Sequence, residues 1–499
     1  MLLFALSFLL RVWYLGNGGV SFGYDQARDA FISQQIAGGD LKLLGPSVSG
    51  VPGLYHGVLY YYIISPFYLI GKGNPLITAY GLSFINSLGV FIIFYFTYLI
   101  TKKLAPALLT ALIYAVSYEV IQYSSWLSNP ALAIILVPLF YLGLYLWLKN
   151  MSVFGALLSG LGLGLSIQSN VSLGYHIVPL LILLSIMKKK ISKTEIMSFL
   201  STFILSILSM ILVEFKFGFR GIAGLVYLFS GQDKIVAGTG FGDFIVIFFN
   251  QFGKVVSNNI FPLNTIIGGV MGLAALGYIF IDWYKNKRNV FSWQILLLSY
   301  LLSFLVASPF GGSGMPHITA GIAMGVIMLI GILIWNLVQM NKILLIVFVS
   351  IILGSNLMKV INTKEEGQTL FAIQPDLNLA NEYRTLDDIY ESSAGNKFSI
   401  NTLTSPLYVN TLWSYLFNWY GNNKYGYIPE WRGRDQIGQL GNNLPSAEKG
   451  TDLHYFILEP KQGIPENWIN NEIGFENSRS VLVSENKIGE ITMQKRTIK

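Results

Sequence analysis

Long apolar stretches dominate the first 358 positions, and polar residues interrupt them only at their ends. The stretches are Leu2–Leu15, Leu76–Ile100, Leu104–Tyr123, Ala131–Leu148, Ser152–Ser169, Val171–Met187, Ile196–Val213, Thr265–Ile281, Phe291–Ser308, Ile318–Leu337 and Ile343–Met358. Most approach the roughly 17–25 residues that an α-helix needs to cross a hydrocarbon core. They predict about eleven transmembrane helices. A further apolar stretch, His56–Ile70, is only about fifteen residues long and opens with Tyr60, Tyr61 and Tyr62.

Orientation decides the status of that short stretch. If it lies on the membrane surface, the loops holding Lys102, Lys103, Lys149, Lys188–Lys190, Lys193, Lys285, Lys287, Arg288 and Lys342 all face the cytoplasm. Basic residues gather in short cytoplasmic loops, so His56–Ile70 is read as an interfacial helix. The N-terminus is then cytoplasmic and the C-terminus extracytoplasmic. Two long loops, Gly16–Pro75 and Glu214–Leu263, fall on the outer face. They carry amphipathic pieces at Gln26–Ala37, Ile222–Phe229 and Phe244–Phe252.

After Met358 the pattern shortens and alternates. Asn381–Ser393 and Trp413–Tyr420 predict helices, while Lys397–Leu403, Leu453–Leu458, Val481–Ser484 and Glu490–Gln494 predict strands, with turn-rich stretches between them. The chain divides into a transmembrane part, 1–358, and a small extracytoplasmic α/β domain, 359–499.

Composition narrows the class. With 53% hydrophobic and 12% charged residues the chain is no ordinary soluble protein. Residues 1–358 hold 19 Lys/Arg against 9 Asp/Glu, net +10, and residues 359–499 hold 14 against 17, net −3. The basic balance therefore belongs to membrane-flanking loops, and no nucleic-acid partner is expected. The absence of cysteine excludes disulfides and thiolate metal sites. The first stretch lacks a basic leader and a clear cleavage site, so it reads as a retained membrane helix, not a signal peptide.

The candidate chemistry lies just past that first helix. Gly23-Tyr24-Asp25-Gln26-Ala27-Arg28-Asp29-Ala30 places four ionisable or amide side chains within five residues at a membrane edge, where they are costly. A helix starting near Asp25 and closed by Gly38-Gly39 puts Asp25 and Asp29 at i,i+4 on one face, with Arg28 beside them. A carboxylate just outside the hydrocarbon loses part of its hydration, which favours use as a general base. The alternative is that Asp25 is a helix N-cap, and that Asp29 is a structural partner of Arg28.

This cluster, together with Leu54-Tyr55-His56-Gly57-Val58-Leu59-Tyr60-Tyr61-Tyr62 in the same loop, resembles glycosyltransferase family 39. That family has the GT-C fold and includes protein O-mannosyltransferases and aminoarabinose transferases. The resemblance implies that Asp25 is the catalytic base and that His56 stands where the second motif has Lys, followed by matching Leu59, Tyr60 and Tyr61. It departs at Gln26, which replaces Glu, at Gly57-Val58, which replaces two prolines, and at Asn129-Pro130, where several relatives have Asp-Pro.

What the resemblance implies is an inverting transfer from a polyprenyl-phosphate sugar to an acceptor outside the cytoplasm, in the plasma (inner) membrane. The acceptor class, whether lipid, glycan or protein, stays open. The leaving lipid phosphate needs positive charge, and Arg11, Arg28, Lys216, Arg220 and His317 are the candidates on the outer side. Gln26, Asp29 and Asn129 would support the site. No metal or other cofactor is expected beyond the lipid-linked donor. The competing functions are a transporter or flippase of lipid-linked sugars and a non-catalytic envelope scaffold.

Overall fold

The computed structural model describes the chain except for 49–50, 52, 188–190, 230–240, 286–290, 308–315, 339–341, 365, 372–373, 435–440 and 448–450. The loop cations Lys188–Lys190, Lys287 and Arg288 lie outside the described residues. Each apolar stretch folds as helix, in one piece or two. Pro75–Thr101, Asn129–Asn150, Thr265–Lys285 and Ile343–Asn362 are long and apolar enough to cross a membrane unbroken. Leu104–Val116 with Tyr118–Ser124, and Lys193–Ser206 with Leu208–Lys216, each bend by 60° and raise the number to six if each pair is one span.

The remaining stretches give shorter apolar helices, such as Val153–Ser169. Against the eleven expected crossings, four to six helices among the described residues pass on length and composition. Hydropathy registers the length of an apolar run but not a break within it. At one break Ser117 caps the new helix, its Oγ facing the Val120 N–H at 3.4 Å, and the chain turns there.

Three helices frame the candidate cluster in the N-terminal half: α1 (Leu2–Val12), α2 (Tyr24–Ala37) and α3 (Leu59–Ile70). α2 buries Ala27, Ala30 and Ser33 at helical spacing, with Asp29 and Ile36 flanking them. This face lies against the Tyr60, Tyr61, Ile64, Ser65 and Tyr68 face of α3, where Ser65 Oγ donates to Ser33 O at 2.9 Å.

The C-terminal sheet has the order β2-β1-β3-β5-β4. Its strands are β1 (Ser399–Leu403), β2 (Glu430–Trp431), β3 (Leu453–Leu458), β4 (Ser480–Ile488) and β5 (Ile491–Ile498). β1 runs parallel to β2 and β3, and β5 runs antiparallel to β3 and β4. Alternate residues of β3 serve two cores, as strand geometry requires. Tyr455 and Ile457 join Leu386 and Ile389 of helix Leu379–Ser393. Phe456 and Leu458 meet Ile469 and Ile473 of helix Glu466–Arg479. The Trp413–Tyr420 helix is real: α-helix Thr411–Leu416 continues through a wider π-helical turn at Phe417–Gly421 into a last turn at Asn422–Tyr425.

The two halves share one core. Tyr14, Phe22, Tyr60 and Tyr61 belong to the same apolar cluster as Leu386, Trp413, Tyr415 and Ile457.

Candidate active site

The loop ahead of Asp25 is fixed by backbone contacts to residues more than 340 positions away. Gly19 O accepts the Gln368 N–H at 2.9 Å, Val20 O accepts the Leu379 N–H at 3.1 Å, and Gly18 O accepts the Ala380 N–H at 3.1 Å. Gly19 and Gly367 cross so closely that a side chain on either would collide with the other's backbone. The chain then enters α2 from an extended Gly23, whose N–H donates to Gln26 Oε1 at 3.0 Å. The N-cap is thus Gly23, not Asp25, and Gln26 braces the first turn. Asp25 is left within the first turn, at the second helical position, with its side chain 59% exposed.

Arg28 joins the two carboxylates. Its Nη1 donates to Asp25 Oδ1 at 2.7 Å, and its Nη2 and Nε donate to Asp29 Oδ1 at 2.7 and 2.9 Å. The guanidinium also lies over the Tyr24 ring, 5.5 Å from its centroid. Asp29 is sealed, its side chain 3% exposed. Burial pushes its pKa up to about 6 against the pull of Arg28, and neighbouring Asp25 adds to the rise. Expected at Asp25, desolvation is found at Asp29 instead, because that residue faces α3 while Asp25 faces outward. Tyr60 and Tyr61 are buried beside Asp29, and that burial pushes both phenols up.

His56 completes the cluster. Its backbone N–H donates to Pro46 O at 2.8 Å, and its Nδ1 accepts the Val171 N–H at 3.1 Å. Burial, with His317 and Arg28 nearby, lowers its pKa to about 3. A neutral ring that accepts at Nδ1 carries its proton on Nε2, so His56 presents an N–H donor and not a positive charge. Gly57 donates its N–H to Gln168 O at 2.9 Å, and any side chain there would collide with Gln168. Proline could not make this contact, which explains locally why Gly57 stands at that position. Asn129 Nδ2 bonds Ser169 O, so the same turn, 168–171, anchors Asn129, Gly57 and His56.

The other candidates are placed differently. Arg11 is fully buried, with Nε donating to Ser124 Oγ at 2.8 Å and Nη1 donating to Ser7 O at 2.9 Å and to Ala115 O at 3.3 Å. Its guanidinium lies over Tyr114. It braces α1 against the break after Val116. Lys216 is exposed, with its Nζ over the Phe217 ring. Arg220 is exposed and its backbone packs on Gly53, three residues before His56.

Asp25, Arg28, Asp29, Tyr61, His56 and His317 therefore come together, while Arg11 and Lys216 stand apart among the described residues. Gln168 and Val171 were missed. The only signal was the polar end Gln168-Ser169-Asn170 on an apolar run. Among the described residues no three His, Asp or Glu side chains gather as a metal-binding group.

The chain matches no protein-family model and no curated protein. Among solved structures, it is similar to ArnT from Cupriavidus metallidurans bound to undecaprenyl phosphate, with a TM-score of 0.62 and 9% identity. The likeness covers 99% of this chain and 97% of that one. The apo state of the same ArnT gives a TM-score of 0.56 at 9% identity and the same coverage. This likeness is one of fold, and it does not single out family 39. The chain shares the fold of that ArnT over nearly its whole length.

Proposed function

We propose that this chain is a membrane glycosyltransferase that moves a sugar from a polyprenyl-phosphate donor to an extracytoplasmic acceptor with inversion. The observation that carries this reading is Arg28, which holds an open carboxylate on one side and a sealed one on the other. Asp25 takes the proton of the acceptor's attacking group as that group bonds to the anomeric carbon. The bond from that carbon to the phosphate oxygen breaks, and the electron pair leaves with the polyprenyl phosphate. Phosphate is a good enough leaving group to need no general acid, only neutralising or hydrogen-bonding neighbours.

Arg28, the Nε2–H of His56, and His317 serve the phosphate in this scheme. Tyr60 and Tyr61 shape the apolar wall, and Asp29 positions Arg28. Arg220 waits at the rim. The fold shared with a protein solved with undecaprenyl phosphate supports a polyprenyl-linked donor. Residues 1–358 form the catalytic membrane part, in the inner membrane with the N-terminus cytoplasmic, and residues 359–499 form the extracytoplasmic part.

Mass spectrometry of envelope lipids, glycans and proteins, with and without this protein, identifies the modified acceptor. Transfer is then measured in membranes carrying Asp25→Asn or Asp25→Ala. Both variants insert normally and lose transfer; an Asp25→Asn variant with full activity overturns the assignment.

A further inference from the structure

A second polar site lies in the membrane half and shares no residue with the Arg28 cluster. Helix Tyr118–Ser124 buries every one of its residues, including Glu119. Glu119 is 3% exposed, and its Oε1 has no hydrogen-bond partner. An ionisable side chain at such depth is expensive and has no route to snorkel. It lines a cavity of about 340 Å3, together with Gln251, Lys254, Asn258, Tyr123 and Phe371.

The cavity is joined to the candidate active site along the chain. Pro316 lies in its wall, and the next residue, His317, neighbours His56. Thr369 is also in its wall, directly after Gln368, whose Oε1 accepts the Ser21 N–H at 3.1 Å in the loop before Asp25.

The lining chemistry selects among ligand classes. A single carboxylate with Lys254 in the same wall does not make a cation site, which takes several oxygens. A lipid tail would leave the unpartnered Oε1 of Glu119 desolvated without compensation. A sugar ring offers hydroxyls for a carboxylate and amides to bind, and an apolar C–H face for an aromatic wall. That wall is built: the Tyr123 and Phe371 ring centroids are 4.5 Å apart, and Trp126 stacks on Phe371 at 4.2 Å.

We infer that this cavity is a glycosyl subsite, in which Glu119 accepts hydrogen bonds from the hydroxyls of a bound sugar ring and Asn258 adds a second polar contact. The inference rests on the glycosyltransferase reading and deepens it. The ring is either the sugar of the lipid-linked donor or a unit of an acceptor glycan.

Binding to the full chain in detergent or nanodiscs tests it, with native mass spectrometry as the readout. The probes are undecaprenyl phosphate alone, the same lipid carrying glucose, galactose or mannose, and free maltotriose. The wild type binds at least one sugar-bearing probe through the cavity. Glu119→Ala and Asn258→Ala each weaken that binding by at least about tenfold and leave bare undecaprenyl phosphate unchanged.

A loss confined to lipid-linked sugar assigns the subsite to the donor, and a loss confined to maltotriose assigns it to the acceptor. The inference is overturned if the wild type gains nothing from any sugar, or if the variants bind sugar probes as the wild type does. A loss of bare lipid binding in step with sugar binding overturns it too. Should Glu119→Ala fail to fold, Glu119→Gln, which keeps the volume, and Asn258→Ala decide. Failure of the wild type to bind bare undecaprenyl phosphate counts against the proposed function instead.

Discussion

The cluster around Arg28 and the cluster around Glu476 are made of the same parts, a carboxylate, a guanidinium and a nearby histidine, but they are closed to different degrees. Glu476 is fully buried. Its Oε1 accepts from Ser480 Oγ at 2.8 Å and lies 2.9 Å from His454 Nε2, and its Oε2 accepts from Asn401 Nδ2 at 2.8 Å and Arg479 Nη2 at 2.6 Å. His454 Nδ1 in turn lies 2.8 Å from Ser399 Oγ. The run Ser399–His454–Glu476 has the ingredients of a hydrolytic triad, yet all three side chains are buried and every one is spent on its neighbours. In the Arg28 cluster only one carboxylate is sealed, and the other faces outward. Saturated and closed, the first arrangement holds a sheet to a helix; half-open, the second keeps a carboxylate available for a substrate.

The sharpest break of this comparison is Asp25→Asn. Transfer falls by about 10²–10⁴-fold, the usual worth of a general base, with no change in thermal stability. Radiolabel transfer from a lipid-linked donor and a melting curve on the same preparation separate the two. Glu476→Ala does the reverse. It leaves Arg479 and His454 without their acceptor and costs about 3–5 kcal/mol of stability in the C-terminal domain. Denaturant titration followed by Trp fluorescence reads this loss, while turnover per folded molecule stays near the wild-type value.

Arg28→Lys comes next. A lysine cannot fork between two carboxylates, so kcat falls about tenfold to a hundredfold, with a smaller change in KM. Equal losses from Arg28→Lys and Arg28→Ala are expected if the fork matters, and full activity in the lysine variant would show that charge alone suffices. The smallest effect concerns pH. Asp29 sits at about 6, above its ordinary 3.8. Acidification through pH 6 protonates it in the folded state, relieves its burial cost and loosens Arg28. Activity then drops on an acid limb near pH 6 that Asp29→Asn removes.

Around Glu476 the pH sign is opposite. Burial pushes that carboxyl up, but the hydrogen bond from His454 and the Arg479 ion pair outweigh it and hold it well below the usual range. Its contribution is present above about pH 4.5, the ordinary carboxyl value, and is lost as pH falls from there. A pH–stability curve measured on Glu476→Gln loses that acid-side decline.

Much of this was legible before any coordinates. Apolar runs locate helices because burying a backbone in lipid leaves no other local option, and the polar cluster at 23–30 stands out against them. The Leu453–Leu458 strand is also placed, as a short aromatic and aliphatic run of strand length. Helix Glu466–Arg479 was not, because Asn467, Asn470, Asn471, Gly474 and Asn477 mask the Ile469–Ile473 spacing that packs it on β3. The bend at Ser117 and the burial of Asp29 in place of Asp25 were hidden for a different reason. Each depends on what a residue faces across space. Asp29 is sealed by α3, and no spacing within 23–30 reveals that. In the sequence Glu119 is one polar residue inside a long apolar run, and its cavity takes walls from helix Phe241–Ile260, from Pro316 and Thr319, and from Thr369 to Phe371.

The crossing of Gly19 and Gly367 bears on how the protein is made. A ribosome must synthesise some 360 residues after Gly18 before Ala380, the last of its three strap partners, exists. Until then the stretch leading to Asp25 has only its local helix signals to hold it. Nascent chains that stall before this point would insert their early helices with the loop ahead of Asp25 unclamped. Competence arrives late in synthesis, when Gln368, Leu379 and Ala380 close over the stretch that leads to Asp25.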